Sequence, residues 1–142
     1  MHANNNELAK IRTGLAQSVL REIAELLSVL VAEGETGAID LHSLPMTPED
    51  RSELEESLGR GDVEAILNVA GTSEVWETRY SGVWWVRHFG ADDKIAAERI
   101  EITALPEILL TDNADIAAAA ERLREDVGSG SSGPAEGNAQ DA

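Results

Sequence analysis

Residues 74–90 read EVWETRYSGVWWVRHFG and decide the fold. Two runs rich in β-branched and aromatic residues flank a Ser-Gly pair that is typical of a tight turn, so the segment predicts a β-hairpin. All five aromatic residues of the chain lie within it. Because side chains alternate between the two faces of a strand, Trp84 and Trp85 must lie on opposite sides of the sheet. We therefore expect some rings in the core and others at a surface that meets a partner.

The sequence around this hairpin extends it into a larger sheet. Four candidate strands follow one another closely, at residues 62–70, 74–80, 83–89 and 95–104. The short, turn-rich connections between them predict an antiparallel meander. Residues 38–41 are also expected to be extended, but they fall outside this four-stranded sheet.

Three segments have the pattern of a helix. Residues 7–33 carry apolar side chains at intervals of three and four, and residues 112–127 carry an Ala-rich apolar stripe. Thr47 starts a third helix at residues 48–58, whose apolar side is thin. The predicted fold class is therefore α+β. A four-stranded antiparallel meander is covered on one face by the N- and C-terminal helices, and the short helix lies at the periphery.

Length and composition predict one domain. A chain of 142 residues, 42% of them hydrophobic, can bury a substantial core. We expect a single α+β domain at residues 1–127 and a disordered Gly/Ser-rich tail at residues 128–142. No apolar run reaches the ~20 residues that a membrane-spanning helix needs, and the first residues lack the regions of a signal peptide. These features predict a cytoplasmic protein that does not bind membranes.

Charge and residue usage narrow the possible functions. The chain has 27 acidic and 11 basic residues, a formal charge of −16, which argues against nucleic acid as a partner. The same charge either favours a basic partner or only keeps the protein soluble. There is no cysteine, and the three histidines lack the spacing of metal ligands, so we expect neither metal nor cofactor. The Gly-x-Gly-x-x-Gly pattern at residues 128–133 precedes the predicted tail rather than a helix, which indicates a linker.

Several segments together resemble a known family. Residues 38–45, 72–80, 82–86 and 105–109 are similar, in order and spacing, to the conserved C-terminal region of the hydrogenase expression/formation proteins of the HupH/HyaF family. The resemblance spans about residues 15–125. It implies a non-enzymatic accessory protein of [NiFe]-hydrogenase maturation, which assists the precursor of the iron–sulfur small subunit, often beside a thioredoxin-like helper. Many relatives are longer, and the family offers no established catalytic residues to carry over.

Two hypotheses about the functional residues follow. In the first, the chain is an assembly chaperone whose partner surface lies on strand 83–89 and on the turn at residues 105–109. Tryptophan and arginine are effective interface anchors. The residues expected to bind the partner are Trp84 and Arg87 first, with Trp85 as the competing core residue, and then Pro106 and Glu107.

The second hypothesis is a small-molecule-binding or hydrolytic domain with a pocket over the sheet. Its first candidate residues are Arg79, Arg87, His88 and Glu98. No catalytic motif in the sequence supports this alternative, because Glu74 with Glu77 and Glu98 with Glu101 point to opposite faces of their strands.

Overall fold

The sheet has five antiparallel strands rather than the four predicted. In the computed structural model, which describes residues 10–68 and 70–129, the strands follow the spatial order β1-β5-β4-β3-β2. Their bounds are β1 Gly37–Asp40, β2 Glu64–Leu67, β3 Ser73–Glu77, β4 Val83–Phe89 and β5 Ile95–Ile102. The α+β class is confirmed, and β2 to β5 form the predicted meander.

The strand that the sequence count missed is β1. It pairs with β5 from Gly37 opposite Ile102 to Asp40 opposite Arg99. A strand of four residues is too short to show a clear alternation of polar and apolar side chains, and its partner is distant in the chain. A short 3₁₀ helix, Leu41–Ser43, follows it directly.

The first helix, α1, runs over Leu15–Glu33 rather than from residue 7. Gly14 has φ 93° at its N-cap position, in the left-handed region that glycine tolerates, so the described part of the chain before it cannot continue the helix. The predicted start at residues 7–9 lies outside the described residues. The helix ends at Gly34, whose N–H donates to the Leu30 carbonyl at 2.9 Å.

The second helix, α2, spans Pro48–Leu58 and confirms the predicted bounds. Thr47 and Asp50 form a capping box in which each side chain accepts the other's backbone N–H. Asp50 also accepts the backbone N–H of Thr13 at 2.8 Å and its hydroxyl at 2.6 Å. The buried carboxylate of Asp50 therefore ties the segment before α1 to the start of α2.

The core lies between one face of the sheet and the two helices α1 and α2. The sheet contributes Ile39, Trp76, Val83, Trp85, Ile100 and Ile102, and the helices contribute Ala16, Val19, Ile23, Leu54 and Leu58. The prediction that α2 is peripheral is wrong, because Leu54 and Leu58 are fully buried. Two leucines one turn apart are enough to place a short helix on the core.

The opposite face of the sheet is also covered at its centre. Val75, Trp84 and Val86 are buried there, and so is most of Glu101. The central strands therefore have apolar side chains enclosed on both faces, which explains the unbroken apolar run at the start of β4.

The chain divides into two compact units after Pro106. The second unit contains a 3₁₀ helix, Glu107–Leu109, and helix α3, Asn113–Gly128. None of the residues of α3 is buried. The packing of its apolar stripe on the sheet stays a prediction. Most of the predicted tail lies outside the described residues. None of the described helices has the length and hydrophobicity required to cross a bilayer.

Candidate functional site

Two tryptophans stack at the centre of the core face. Trp76 on β3 and Trp85 on β4 occupy paired positions, and their rings lie 5.5 Å apart at an angle of 9°. The Arg60 guanidinium lies 3.8 Å from the Trp76 ring centroid. This arrangement combines aromatic stacking with a cation–π contact. The Trp76 indole N–H is buried and has no hydrogen-bond partner among the described residues.

A buried carboxylate lies beside this stack. Glu98 on β5 is opposite Arg87 on β4, and its side chain is fully buried. Its Oε2 accepts the Arg87 Nε–H at 2.6 Å and the Trp85 Nε1–H at 2.7 Å, while its Oε1 accepts an N–H of Arg51. Because Arg51 comes from α2, this carboxylate links the helix layer to the two central strands.

The surroundings keep this carboxylate ionised. Burial raises the pKa of Glu98. The hydrogen bonds from Arg51, Trp85 and Arg87 and the charge of Arg51 lower this pKa by more than burial raises it, so the net pKa shift is downward. Arg87 also approaches two partly exposed carboxylates, Glu55 at 3.6 Å and Glu74 at 3.8 Å. The site is therefore a charged network rather than a protonated acid ready to donate.

A cavity of about 330 Å³ opens next to this network. Four apolar side chains form its walls: Leu41, Leu44, Met46 and Ile95. Arg51, Glu98 and His42 supply its polar lining. Its volume is at the lower end of the roughly 300–1,000 Å³ that is usual for small-ligand pockets. Among the residues that the structure describes, no cluster of three or more His, Cys, Asp or Glu side chains could hold a metal ion.

The predicted partner-binding residues are mostly buried. Trp85 is fully buried and Trp84 is 4% exposed, with its Nε1–H donating to the Thr103 carbonyl at 3.1 Å. The expectation that one of these tryptophans is exposed is therefore wrong. The side chain of Arg87 is 14% exposed and Pro106 is buried. Glu107 is exposed at the start of the second unit. Contact of these residues with a partner stays a prediction.

The structure brings together only two of the four residues of the alternative hypothesis. Arg87 and Glu98 pair directly. His88 alternates to the other face of β4, where its Nδ1 is 2.6 Å from the Ser73 hydroxyl. Arg79 donates to the Ser57 carbonyl at 3.0 Å, at the C-terminal end of α2. The set does not converge on one pocket, so it does not form a hydrolytic site.

Sequence reasoning missed Arg51 as a site residue. Arg51 lies three and seven positions before Leu54 and Leu58, so it shares the apolar face of α2. A charged residue on the buried face of a helix usually has a buried partner, and this signal could have identified it.

Sequence reasoning also missed the exposure of Tyr80, whose residue surface is 52% exposed. It borders an apolar groove of about 240 Å³ between α1 and the end of α2. The groove is lined by Leu20, Ile23, Ala24, Leu27, Ser57, Leu58 and Tyr80. Tyr80 is the ring of the 74–90 segment that is most available to another molecule.

Comparison with known proteins identifies the protein family to which the chain belongs. Residues 15–129 match the family described as HupH hydrogenase expression protein, C-terminal conserved region. The chain belongs to this family, and the resemblance inferred from the sequence is confirmed.

Individual relatives agree with this assignment. The chain is 36% identical over 88 residues to the hydrogenase expression/formation protein HoxQ of Azotobacter vinelandii, covering 62% of this chain and 31% of that protein. It is 33% identical over 105 residues to HupH of Rhodobacter capsulatus, covering 72% and 38%. The chain thus spans about a third of the length of these curated relatives.

A solved structure is similar to this chain over nearly the whole length of the solved protein. The hydrogenase expression protein HupH from Thiobacillus denitrificans ATCC 25259 superimposes with a TM-score of 0.76 at 42% identity. The match covers 80% of this chain and 94% of that chain. The five-stranded α+β architecture therefore belongs to a family fold.

Proposed function

We propose that this chain is a non-enzymatic accessory protein of [NiFe]-hydrogenase maturation. In this proposal it acts in the cytoplasm and binds the precursor of the iron–sulfur small subunit before the hydrogenase is assembled, with a thioredoxin-like helper as a further partner. The observation that carries the proposal is the family match over residues 15–129. It is supported by relatives that are themselves named hydrogenase expression/formation proteins.

The arrangement of the site favours a binding role over catalysis. Glu98 is ionised and its two oxygens already accept three hydrogen bonds, so it has no proton to donate and its lowered pKa makes it a weak base. His88 and Arg79, which could assist such a carboxylate, lie elsewhere. The charged network fits a structural role better, because it fixes β4 and β5 against α2.

The partner surface is proposed to include the exposed part of the 74–90 segment. Tyr80 borders an apolar groove and is exposed, and tyrosine is among the residues that contribute most to binding energy. Arg87, whose side chain is 14% exposed, stays in the proposed contact set. Contact of Glu107, which belongs to the second unit, with the partner stays a separate prediction. The buried residues Trp84, Trp85 and Pro106 are then expected to act by holding the surface in shape.

A retention experiment tests this proposal. The tagged chain is incubated with the small-subunit precursor of the same organism, and the retained precursor is measured. We expect the native chain to retain it and Tyr80→Ala to weaken binding by ~2 kcal/mol, about thirtyfold. Val31→Ala is a matched control, because Val31 is an apolar residue of α1 that is 86% exposed and does not line the groove.

The two parts of the proposal fail separately. If the native chain retains no precursor, the proposed function is wrong. If Tyr80→Ala, still folded by circular dichroism, retains as much precursor as Val31→Ala does, the function stands but the proposed surface is wrong.

A further inference from the structure

We infer that the cavity between the 3₁₀ helix Leu41–Ser43, α2 and β5 is a binding site for a carboxylate that carries a short aliphatic group. The inference concerns the polar end and the apolar walls of one cavity. It does not depend on the proposed function, because it is drawn from the lining residues alone.

The cavity has more hydrogen-bond donors than acceptors. Arg51 uses Nη2 for Glu98, but within the described part of the chain its Nε and Nη1 groups donate to no protein acceptor. The ring of His42, an exposed residue, has no partner among the described residues, and an imidazole can donate as well as accept. Glu98 accepts two hydrogen bonds at Oε2 and one at Oε1, which leaves one acceptor site against the free Nε–H and Nη1–H groups of Arg51. A ligand that satisfies the lining must therefore supply acceptors.

The free N–H groups of the Arg51 guanidinium favour an anionic acceptor. Arg51 and Glu98 carry opposite charges, so this pair leaves the lining close to neutral. The rest of the chain is strongly acidic, with a formal charge of −16 overall. This lining is thus a place where an anion meets little local repulsion. A guanidinium with free N–H groups binds a carboxylate through short, charge-assisted hydrogen bonds.

The apolar walls define the rest of the ligand. Leu41, Leu44, Met46 and Ile95 supply the apolar part of the lining. Leu41 is buried, and Leu44 and Met46 are half-buried, so the walls are held by the core. A cavity of about 330 Å³ has room for a branched aliphatic group rather than for a nucleotide or a sugar chain. The ligand is either a free aliphatic acid or the C-terminal residue of a peptide.

Titration of the full chain with isocaproate tests the inference, and its neutral amide, isocaproamide, serves as the matched probe. Binding is followed by calorimetry and by the NMR shifts of the backbone amides of His42 and Arg51. We expect the acid to bind and the amide to bind roughly tenfold more weakly or not at all, because the amide lacks the charge that Arg51 recognises. Equal binding of acid and amide, or no binding of the acid, would overturn the inference.

Variants show whether the acid occupies this cavity. Arg51→Gln removes the donors and Leu44→Trp fills the space without touching the ion pair, so both should weaken binding roughly tenfold or more. Arg21→Gln, an equal loss of charge at an exposed position of α1, should bind as the native chain does. If the folded Leu44→Trp variant binds isocaproate as well as native protein, the assignment to this cavity is wrong.

A third probe distinguishes the source of the carboxylate. N-Acetylglycylleucine carries the same branched group at a peptide C-terminus. Tighter binding than isocaproate identifies a peptide end as the natural ligand, whereas weaker binding identifies a free acid. Either result supports the carboxylate site, provided that Leu44→Trp abolishes it.

Discussion

Removal of the charge at Glu98 should destabilise the fold. In Glu98→Gln the side chain keeps its shape, but the negative charge that faces Arg51 and Arg87 is lost. The two guanidiniums then face a neutral amide. If its nitrogen replaces Oε1, Arg51 loses its acceptor, and if it replaces Oε2, both Trp85 and Arg87 lose theirs. The substitution therefore breaks a buried charge network from its centre.

The expected magnitude follows from burial. Breaking a buried ion pair on one side costs ~3–5 kcal/mol. Because the side chains of Arg51 and Arg87 are 27% and 14% exposed, water compensates part of the loss. We expect a decrease of about 3 kcal/mol in the free energy of unfolding, which lowers Tm by roughly 10 °C in a domain of this size.

Thermal and urea unfolding at neutral pH measure this change, and Glu64→Gln is the matched control. Glu64 pairs with Arg60 at 3.2 Å, but the two side chains are 60% and 46% exposed. An exposed pair contributes ~1 kcal/mol or less, so the control should lie within a few degrees of the native Tm. If Glu98→Gln is as stable as Glu64→Gln, the charge network does not stabilise the fold as we argue.

The pH dependence of the unfolding free energy checks the sign of the contribution that the Glu98 charge makes to stability. The net pKa of Glu98 is lowered in the folded state, because the hydrogen bonds and the charge of Arg51 outweigh burial, which raises it. Its contribution is therefore present above the unfolded-state pKa and is lost as the pH falls through the folded-state pKa. The stability difference between native protein and Glu98→Gln should be largest at neutral pH and shrink in acid. A difference that grows as the pH falls would contradict this assignment.

Two further predictions concern other buried groups. Asp50→Asn should lower the unfolding free energy by ~1–2 kcal/mol, because the carboxylate caps α2 and binds Thr13; urea unfolding of this variant beside Glu53→Gln, which is less buried, provides the check. Trp84→Ala should cost ~3–5 kcal/mol, since the ring is 4% exposed and its N–H is bonded. A Trp84→Ala protein with native Tm would show that this ring is dispensable for folding.

Local signals predicted much of the fold. The helix start at Thr47 and Pro48 and the strand at residues 83–89 follow from capping and alternation, which depend on neighbouring residues, and the structure confirms both. Strand β1 was not counted in the sheet because its pairing with β5 is a long-range contact. The periodicity of residues 7–33 predicted the first helix, but sequence alone did not show that Gly14 is its N-cap.

The site was predictable only in part. Arg87 and Glu98 were both named as candidates, but their contact depends on the register between β4 and β5. A register shift of one residue would separate the two side chains. The burial of Trp84 could not be read from alternation, because alternation separates the two faces of a strand without showing whether each face is covered. The role of Arg51 required knowledge of how α2 packs on the sheet.

The most direct test of the account is the mass of the complex that the full chain forms. Native mass spectrometry would be recorded for the purified chain mixed with the hydrogenase small-subunit precursor and, separately, with the assembled hydrogenase. We expect a stable complex with the precursor and none with the assembled enzyme. Unbound chain in both mixtures, or equal binding to both, would contradict the claim that this protein acts on a hydrogenase subunit before assembly.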